Sequence, residues 1–410
     1  MIPRAATVLL TLSLAASAAT SSDLLSQTDV FTAGTGGYHT YRIPAAVLSK
    51  RGALLAFCEG RKLSAADGGK IDLLLKRSTD GGRTWAAPQV VWADSTNTCG
   101  NPAPVVDSVT GEIWLLLTWN RGADDERQIE AGTSRETRRV FVTHSGDDGV
   151  TWAVPCDITG AVKLPHWRWY ATGPVNGIQL TRGPHLGRLV IPANHSDHSD
   201  PAKHPFRAHV IYSDDHGRSW HLGGVEEEKT NESTVAERAD GSLLHNMRSY
   251  HGQHARAIAL SHDGGATWSP VTLDRTLVDP VCQASLLRFS WPQAARPGVL
   301  LFCNPAATKR QNLTVRLSYD DGATWPIARA LCPGPAAYSC LVALPDQVVG
   351  CLYECGKQTP CERIVFARFP LEWLGARSPR HSSNRKRPAF TGAGSPPTTV
   401  LNRYHPAPSS

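Results

Sequence analysis

His195, His198, His204 and His209 crowd one short stretch of the chain, and neutral imidazoles at short spacing are common zinc ligands. The intervening residues, Asn194-His-Ser-Asp-His-Ser-Asp200, read instead as a polar loop. Cysteine offers a second chemistry. Of the ten cysteines, Cys351, Cys355 and Cys361 lie close together, as do Cys332 and Cys340. Zinc would need paired ligands at tighter spacing than these. The cysteines are expected as disulfides or buried thiols whose pairing the spacing does not fix, and no metal is expected. A third pattern is regular: Ser-x-Asp-x-Gly-x-Thr/Ser-Trp stands at Ser78–Trp85, Ser145–Trp152, Ser213–Trp220, Ser261–Trp268 and Ser318–Trp325, with copies beginning 67, 68, 48 and 57 residues apart.

The recurring acids are punctuation rather than chemistry. Asp80, Asp147, Asp215, Asp263 and Asp320 can accept backbone N–H bonds across a tight turn. A glycine two residues later supplies left-handed backbone, and the tryptophan anchors the next strand. Apolar or alternating runs end at each turn: Ile71–Lys76, Val140–His144, His209–Tyr212, Ile258–Leu260 and Leu313–Leu317. No long stretch has helical periodicity. Short strands with one turn signal per unit predict an all-β fold, a six-bladed β-propeller of four-stranded antiparallel blades over residues 22–374. The sixth blade falls at about Ala337–Phe369, and its outer strand is expected from the N-terminal segment near Asp29-Val-Phe-Thr32, since open sheet edges would be left unpaired otherwise.

The ends read differently. Arg4, an apolar run from Ala5 to Ala16 and the small-residue site Ala16-Ser-Ala18 predict a secretory signal peptide over residues 1–18. Residues 375–410 read as a disordered, basic Ser/Pro-rich tail. That tail carries Arg377, Arg380, Arg385, Lys386, Arg387 and Arg403 with no acid, so against a whole-chain charge of +6 the remainder sums to zero. The basic balance therefore points to no nucleic-acid partner. With secretory entry, Asn194, Asn231 and Asn312 head N-glycosylation sequons.

Between the turns stand Tyr41-Arg-Ile-Pro44, Phe57-Cys-Glu-Gly-Arg61, Gly100-Asn-Pro-Ala-Pro104, Thr172-Gly-Pro174, Asn304-Pro305 and Gly334-Pro-Ala-Ala-Tyr-Ser339. With the five Asp boxes in order, these segments resemble the exo-α-sialidase (neuraminidase) family over about residues 28–374, in particular bacterial secreted sialidases and the vertebrate lysosomal sialidase.

The resemblance implies retaining hydrolysis of terminal α-linked sialic acid from glycoproteins, gangliosides or oligosaccharides, without metal or organic cofactor. The substrate is a carboxylate, and guanidinium groups are its natural partners because they are always charged and bind in parallel pairs. By position the family's three arginines are Arg42, Arg256 and Arg310, with Arg248 and Arg316 as local competitors. A neutral phenol avoids driving an anionic nucleophile toward a carbon that already bears a carboxylate, and sialidases are among the exceptions that use tyrosine. The resemblance assigns this role to Tyr338, activation to Glu232 with Glu237 as alternative, and acid/base work on the leaving group to Asp67. It places Arg61 near the substrate's C4 region, held by Glu59, with Asn101 shaping the same floor. A glycan on Asn231 would crowd such a site.

Two other readings keep the same centre. A trans-sialidase would add an acceptor platform, for which Trp167, Trp169 and Tyr170 are candidates. A non-catalytic sialic-acid-binding propeller would lose Tyr338 or Asp67, and both are present. An Asp-box endoglucanase or a sortilin-like receptor would need a longer chain. The charged insertion Arg121–Arg139, linkage preference, secreted against lysosomal destination, association with membrane-bound gangliosides and the need for a stabilising partner protein are not set by the sequence.

Overall fold

A computed structural model describes residues 24–200, 202–294 and 296–376. The signal peptide expected over 1–18 lies outside the described residues, as does the tail beyond Ala376. The described chain is all-β, as the turn repeats require, and is consistent with a β-propeller.

The strands follow the turns. First come β1 (Ser26–Thr32), β2 (Thr40–Leu48), β3 (Leu54–Arg61), β4 (Ile71–Ser78) and β5 (Gln89–Trp92). Next are β6 (Thr98–Val106), β7 (Ile113–Asn120), the short helix α1 (Glu126–Ala131), β8 (Arg139–Ser145) and β9 (Cys156–Asp157). A second short helix, α2 (Thr159–Val162), precedes β10 (Trp167–Thr172), β11 (Ile178–Gln179), β12 (Leu189–Asp197), β13 (Phe206–Ser213) and β14 (His221–Glu228). Then come β15 (Thr230–Glu237), β16 (Leu243–Ser249), β17 (Ala255–Ser261) and β18 (Thr272–Val278). The last are β19 (Ser285–Ser290), β20 (Val299–Pro305), β21 (Gln311–Ser318), β22 (Ile327–Leu344), β23 (Val348–Cys355) and β24 (Arg363–Pro370).

Pairing within these groups is antiparallel and sequential. β2-β3-β4 carries β5 on β4 and meets β6-β7-β8-β9 through one parallel pair, Ile71 with Thr98. β10-β12-β13-β14 and β15-β16-β17-β18 form two further sheets, and the last runs β1-β24-β23-β22-β21-β20-β19. The expected pairing of the N-terminal segment is observed: β1 lies antiparallel on β24, Ser26 opposite Arg368 and Thr32 opposite Arg363.

The Asp boxes close the hairpins in one repeated way. Ser78 Oγ donates to Asp80 Oδ1 (2.7 Å) and accepts the Gly82 N–H (2.8 Å), while Asp80 accepts the Thr84 N–H (3.0 Å) and hydroxyl (2.6 Å). The same bonds recur at Asp147, Asp215, Asp263 and Asp320. These donors favour the ionised carboxylate; with the Thr151 hydroxyl the largest influence, Asp147 is held down at about 2. Each turn also touches a neighbouring group of strands. Gly217 has φ +90°, and a Cβ there would sit 2.1 Å from the Trp114 ring of β7. Trp85 and Trp152 lie edge-on to Phe366 of β24 and Phe57 of β3. Between groups the core is aliphatic, for example Val47, Leu55, Phe57 and Leu75 against Ile113, Leu115 and Leu117.

Candidate active site

Five strands carry an irregularity at corresponding places. Register shifts fall between Arg42 and Ala45 in β2, Gly100 and Ala103 in β6, Trp167 and Tyr170 in β10, Thr230 and Ser233 in β15, and Ala336 and Ser339 in β22. A bulge re-aims the side chains inside it. Arg42, Ile43, Asn101, Trp169, Asn231, Glu232 and Tyr338, all at these places, line one cavity, which Asp67, Arg248 and Arg310 also enter. Ile43 and Asn101 hold positive φ of 61° and 54°, which the β-branched Ile43 adopts only when the surroundings impose it.

Three guanidinium groups converge there. Arg42 is anchored by the fully buried Glu354 through Nε–Oε1 (2.8 Å) and Nη2–Oε2 (3.2 Å). The same carboxylate accepts the N–H of Ile43 (2.8 Å) and of Tyr338 (3.3 Å). Arg310 Nη2 donates to the Val281 carbonyl (3.1 Å), and Arg248 Nη1 donates to Glu232 Oε2 (2.8 Å). The Tyr338 ring lies 5.1 Å from the Arg42 and 5.6 Å from the Arg310 guanidinium carbon.

The phenol and its acceptor meet directly. Tyr338 Oη donates to Glu232 Oε1 at 2.5 Å, both residues buried. Burial, then the Glu232 charge, push the Tyr338 phenol well above its ordinary value, with Arg248 and Arg310 pulling the other way. The resting phenol is therefore protonated, with a carboxylate in place to take its proton.

Asp67 comes from the loop between β3 and β4. Its Oδ1 lies 2.7 Å from Arg61 Nη2 and 4.0 Å from Arg42 Nη1. Burial acts to raise this carboxyl, but Arg61 and Arg42 outweigh it and hold it below the usual range. Arg61 also pairs with Glu59 (Nη2–Oε2, 2.7 Å), and Glu59 Oε1 accepts the Asn101 N–H (2.9 Å). The expected floor of Glu59, Arg61 and Asn101 is thus assembled.

Four expected placements are corrected. Arg256 does not reach the cavity: it is fully buried, with Nε on Asn246 Oδ1 (2.7 Å), Nη1 on the Cys282 carbonyl (2.6 Å) and Asp279 at 3.4 Å. Arg248, seven residues before the β17 strand start at Ala255, stands there instead. The alternative base Glu237 faces away and accepts from the N–H groups of Thr181 (2.8 Å) and Arg182 (2.8 Å). Of the aromatic trio, only Trp169 lines the cavity; Trp167 and Tyr170 turn into the core. Nor is Asn194–Asp197 a loop. It belongs to β12, with His195 fully buried on His209 (Nδ1–Nδ1, 3.0 Å). Among the described residues no group of three or more His, Cys, Asp or Glu is arranged to hold a metal. Asn194 and Asn231 are buried in the cavity wall, an environment that excludes a glycan.

Several lining residues carried no sequence signal. The insertion after Arg121 folds as α1, capped by Asp125 and Gln128, and brings Glu126 and Arg138 to the wall. Arg138 is buried over the Trp169 ring (4.0 Å) and donates through Nη2 to Asn101 Oδ1 and, at 3.0 Å, to Thr118 Oγ1. Burial pushes it down to about 10, still a cation at neutral pH. Phe206 and Tyr250, 5.8 Å apart, also line the wall. Glu354 could have been suspected, since an acid inside the apolar run Val348–Cys355 requires a cationic partner.

The profile of the BNR repeat-like domain matches residues 52–351, which places the chain among proteins built on such repeats. It is 38% identical over 371 residues to a sialidase of Micromonospora viridifaciens, covering 86% of this chain and 55% of that protein. An exo-alpha-sialidase of Arthroderma benhamiae is 32% identical over 370 residues, covering 82% and 85%. Human Sialidase-3 is 31% identical over 388 residues, covering 80% and 89%. The solved structure of Hadza microbial sialidase Hz136 superposes with a TM-score of 0.76 at 34% identity, covering 84% of this chain and 68% of that one. The chain belongs to the sialidase family, and it spans 55% and 61% of the length of the Micromonospora and Bacteroides fragilis relatives.

Proposed function

We propose that this protein is an exo-α-sialidase, a glycoside hydrolase that removes terminal α-linked sialic acid from glycoproteins, gangliosides and oligosaccharides with retention of configuration. The observation that carries this reading is Tyr338 bonded to Glu232 at 2.5 Å beside Arg42, Arg248 and Arg310. The three arginines hold the substrate carboxylate, which sets the adjacent anomeric carbon over the phenol. Glu232 takes the Tyr338 proton as the phenolic oxygen attacks, and Asp67 protonates the departing glycosidic oxygen. Asp67 then removes a proton from the water that opens the tyrosyl intermediate, and Tyr338 is restored by the proton held on Glu232. Arg61 and Asn101 position the sugar's far edge. Substrate binding also readies the acid: its carboxylate offsets the Arg42 charge felt by Asp67, whose affinity for a proton rises accordingly.

The scaffold for this chemistry is a six-bladed propeller over residues 22–374, a reading supported by the sequential four-strand groups and by β1 closing on β24. A leader over residues 1–18 directs the chain to the secretory route, for secretion or a lysosome-type compartment. Among the described residues no helix is long and apolar enough to cross a membrane.

Transfer of sialic acid to a second sugar is the competing reading, favoured by Trp169 in the cavity wall. A fluorogenic α-sialoside tests both: wild type releases the fluorophore, Tyr338→Phe loses turnover, and NMR identifies the first product as the α-anomer. A sialylated acceptor appearing in place of free sialic acid would move the protein to the transfer class. Binding without turnover would make it a lectin.

A further inference from the structure

Two cysteines outside the cavity sit where they could lock its supports together. β22 pairs with β21 from Ile327 to Pro335, Cys332 opposite Leu313, and with β23 from Ala336 onward. The passage from one partner to the other falls between Pro335 and Ala336, a few residues after Cys332, and Cys355 ends β23 opposite Ala336. Pro335 O accepts the Gly356 N–H at 3.2 Å, which fixes the two segments side by side. Cys332 packs against the cluster of buried side chains that includes Cys355. Cys332 is partly exposed while Cys355 is buried, an accessible thiol backed by a resolving one. Six residues beyond Cys332 is Tyr338, and immediately before Cys355 is Glu354, the carboxylate that holds Arg42 and accepts from the Tyr338 N–H.

We propose that Cys332 and Cys355 form a disulfide that ties the Tyr338 strand to the Glu354 strand. The Cys332 thiolate attacks one sulfur of a small-molecule disulfide such as oxidised glutathione, releasing one thiolate and leaving a mixed disulfide. Cys355 loses its proton to solvent and attacks the Cys332 sulfur, expelling the second small thiol. Two protein thiols are oxidised and one disulfide is reduced. The influence of Cys355 holds the Cys332 thiol below its ordinary value, against partial burial, which favours the attacking thiolate at Cys332. The contrasting pair, Cys303 and Cys351, has its sulfurs 3.9 Å apart but is wholly buried, out of reach of an oxidant.

The test uses the folded full chain incubated with oxidised glutathione at pH 7.5, then alkylated and digested without reduction. The expected result is a peptide linking Cys332 to Cys355, with Cys303 and Cys351 recovered as thiols. Oxidation should raise the midpoint of thermal unfolding by roughly 5 °C, and dithiothreitol should reverse it. Cys332→Ser, at a partly exposed position, should fold, lose the linked peptide and lose the redox-dependent shift. Recovery of Cys332 as a free thiol, or linked to Cys361 instead, would overturn the proposal. None of these readouts depends on sialidase turnover, so this proposal and that activity can fail separately.

Discussion

Tyr338 donates its phenolic hydrogen to Glu232 over 2.5 Å, and Glu232 is gripped on its other oxygen by Arg248 at 2.8 Å. In the proposed mechanism this chain couples the nucleophile, its proton acceptor and a carboxylate-binding cation in a single unit. Loss of the phenolic oxygen removes the attacking group, and Glu232→Gln removes the proton acceptor while keeping the shape. Each substitution is expected to lower kcat/KM by about 10²–10⁴-fold. Because the two groups act as a unit, the double variant should be little worse than either single one. A multiplicative loss in steady-state assays would show that they act independently.

Arg248 and Arg256 separate binding from stability. Arg248→Lys keeps the charge but loses the planar fork, and should raise KM for the sialoside about tenfold with little change in unfolding midpoint. Arg256→Met leaves Asp279 buried without its cation, and removal of one partner of a buried pair costs about 3–5 kcal/mol. Its folded fraction should retain normal KM. Kinetics and thermal melts on the same preparations decide this; a KM effect confined to Arg256→Met would restore Arg256 to the cavity.

How these arginines came to be exchanged shows what a sequence can carry. The Asp boxes announce the hairpins because a local hydrogen-bond pattern dictates them. Distance from a box does not say whether a side chain on β16 or β17 faces the cavity or the neighbouring sheet. Arg256 sits between Ala255 and Ala257 on β17, bonded to Asn246 and the Cys282 carbonyl, whereas Arg248 stands near the end of β16. The bulges are equally hidden, since each depends on pairing with the next strand. Glu126 arrives on α1, whose signal is one capping box inside a charged insertion, and Arg138 stands just before β8. His195 illustrates the reverse error. A polar run reads as a loop until stacking on Trp167, 3.3 Å between ring centres, makes it core.

Gly217 measures how strictly the repeated turn depends on its glycine. Alanine there would need φ near +90° and would press on the Trp114 ring. We expect Gly217→Ala to lower stability by about 2–4 kcal/mol, combining backbone strain with overpacking, while kcat and KM of the folded enzyme stay normal. Urea unfolding followed by Trp fluorescence would register the loss. A change below about 0.5 kcal/mol would mean that the turn relaxes freely.

Asp67 should leave its mark on the pH profile. In the free enzyme burial opposes ionisation, but Arg61 and Arg42 together hold its carboxyl below the ordinary range. The fall in kcat/KM as Asp67 loses its proton is therefore expected at low pH. In the proposed substrate complex the sialoside carboxylate binds Arg42, so the corresponding limb of kcat should move to higher pH. Asp67→Asn should abolish that limb and cost an alkyl sialoside, with its poor leaving group, at least about tenfold more than an aryl one. Superimposable kcat and kcat/KM profiles would count against release of Asp67 by substrate.

The buried histidines predict an acid limit to stability that is independent of the catalytic carboxylates. His195 and His209 share an Nδ1–Nδ1 contact of 3.0 Å, which only one hydrogen can occupy, and His209 Nε2 meets the Tyr170 hydroxyl at 2.7 Å. Burial first, and then the neighbouring basic groups, keep both rings neutral: His209, Arg207, His166 and Lys163 act on His195, and His245, itself paired with Glu226, acts on His209. His209 is pushed down to about 3, and His195 also lies well below its ordinary value. The unfolded chain binds protons near pH 6.5 that the folded chain refuses, so stability is complete above that pH and falls as pH drops toward 3. The slope should approach roughly 1.4 kcal/mol per pH unit for each ring. Urea midpoints between pH 7 and pH 4.5 would measure it. His195→Gln, which keeps a polar group of similar length, should flatten the slope by about one ring's share. An unchanged slope would assign the acid limit to other groups.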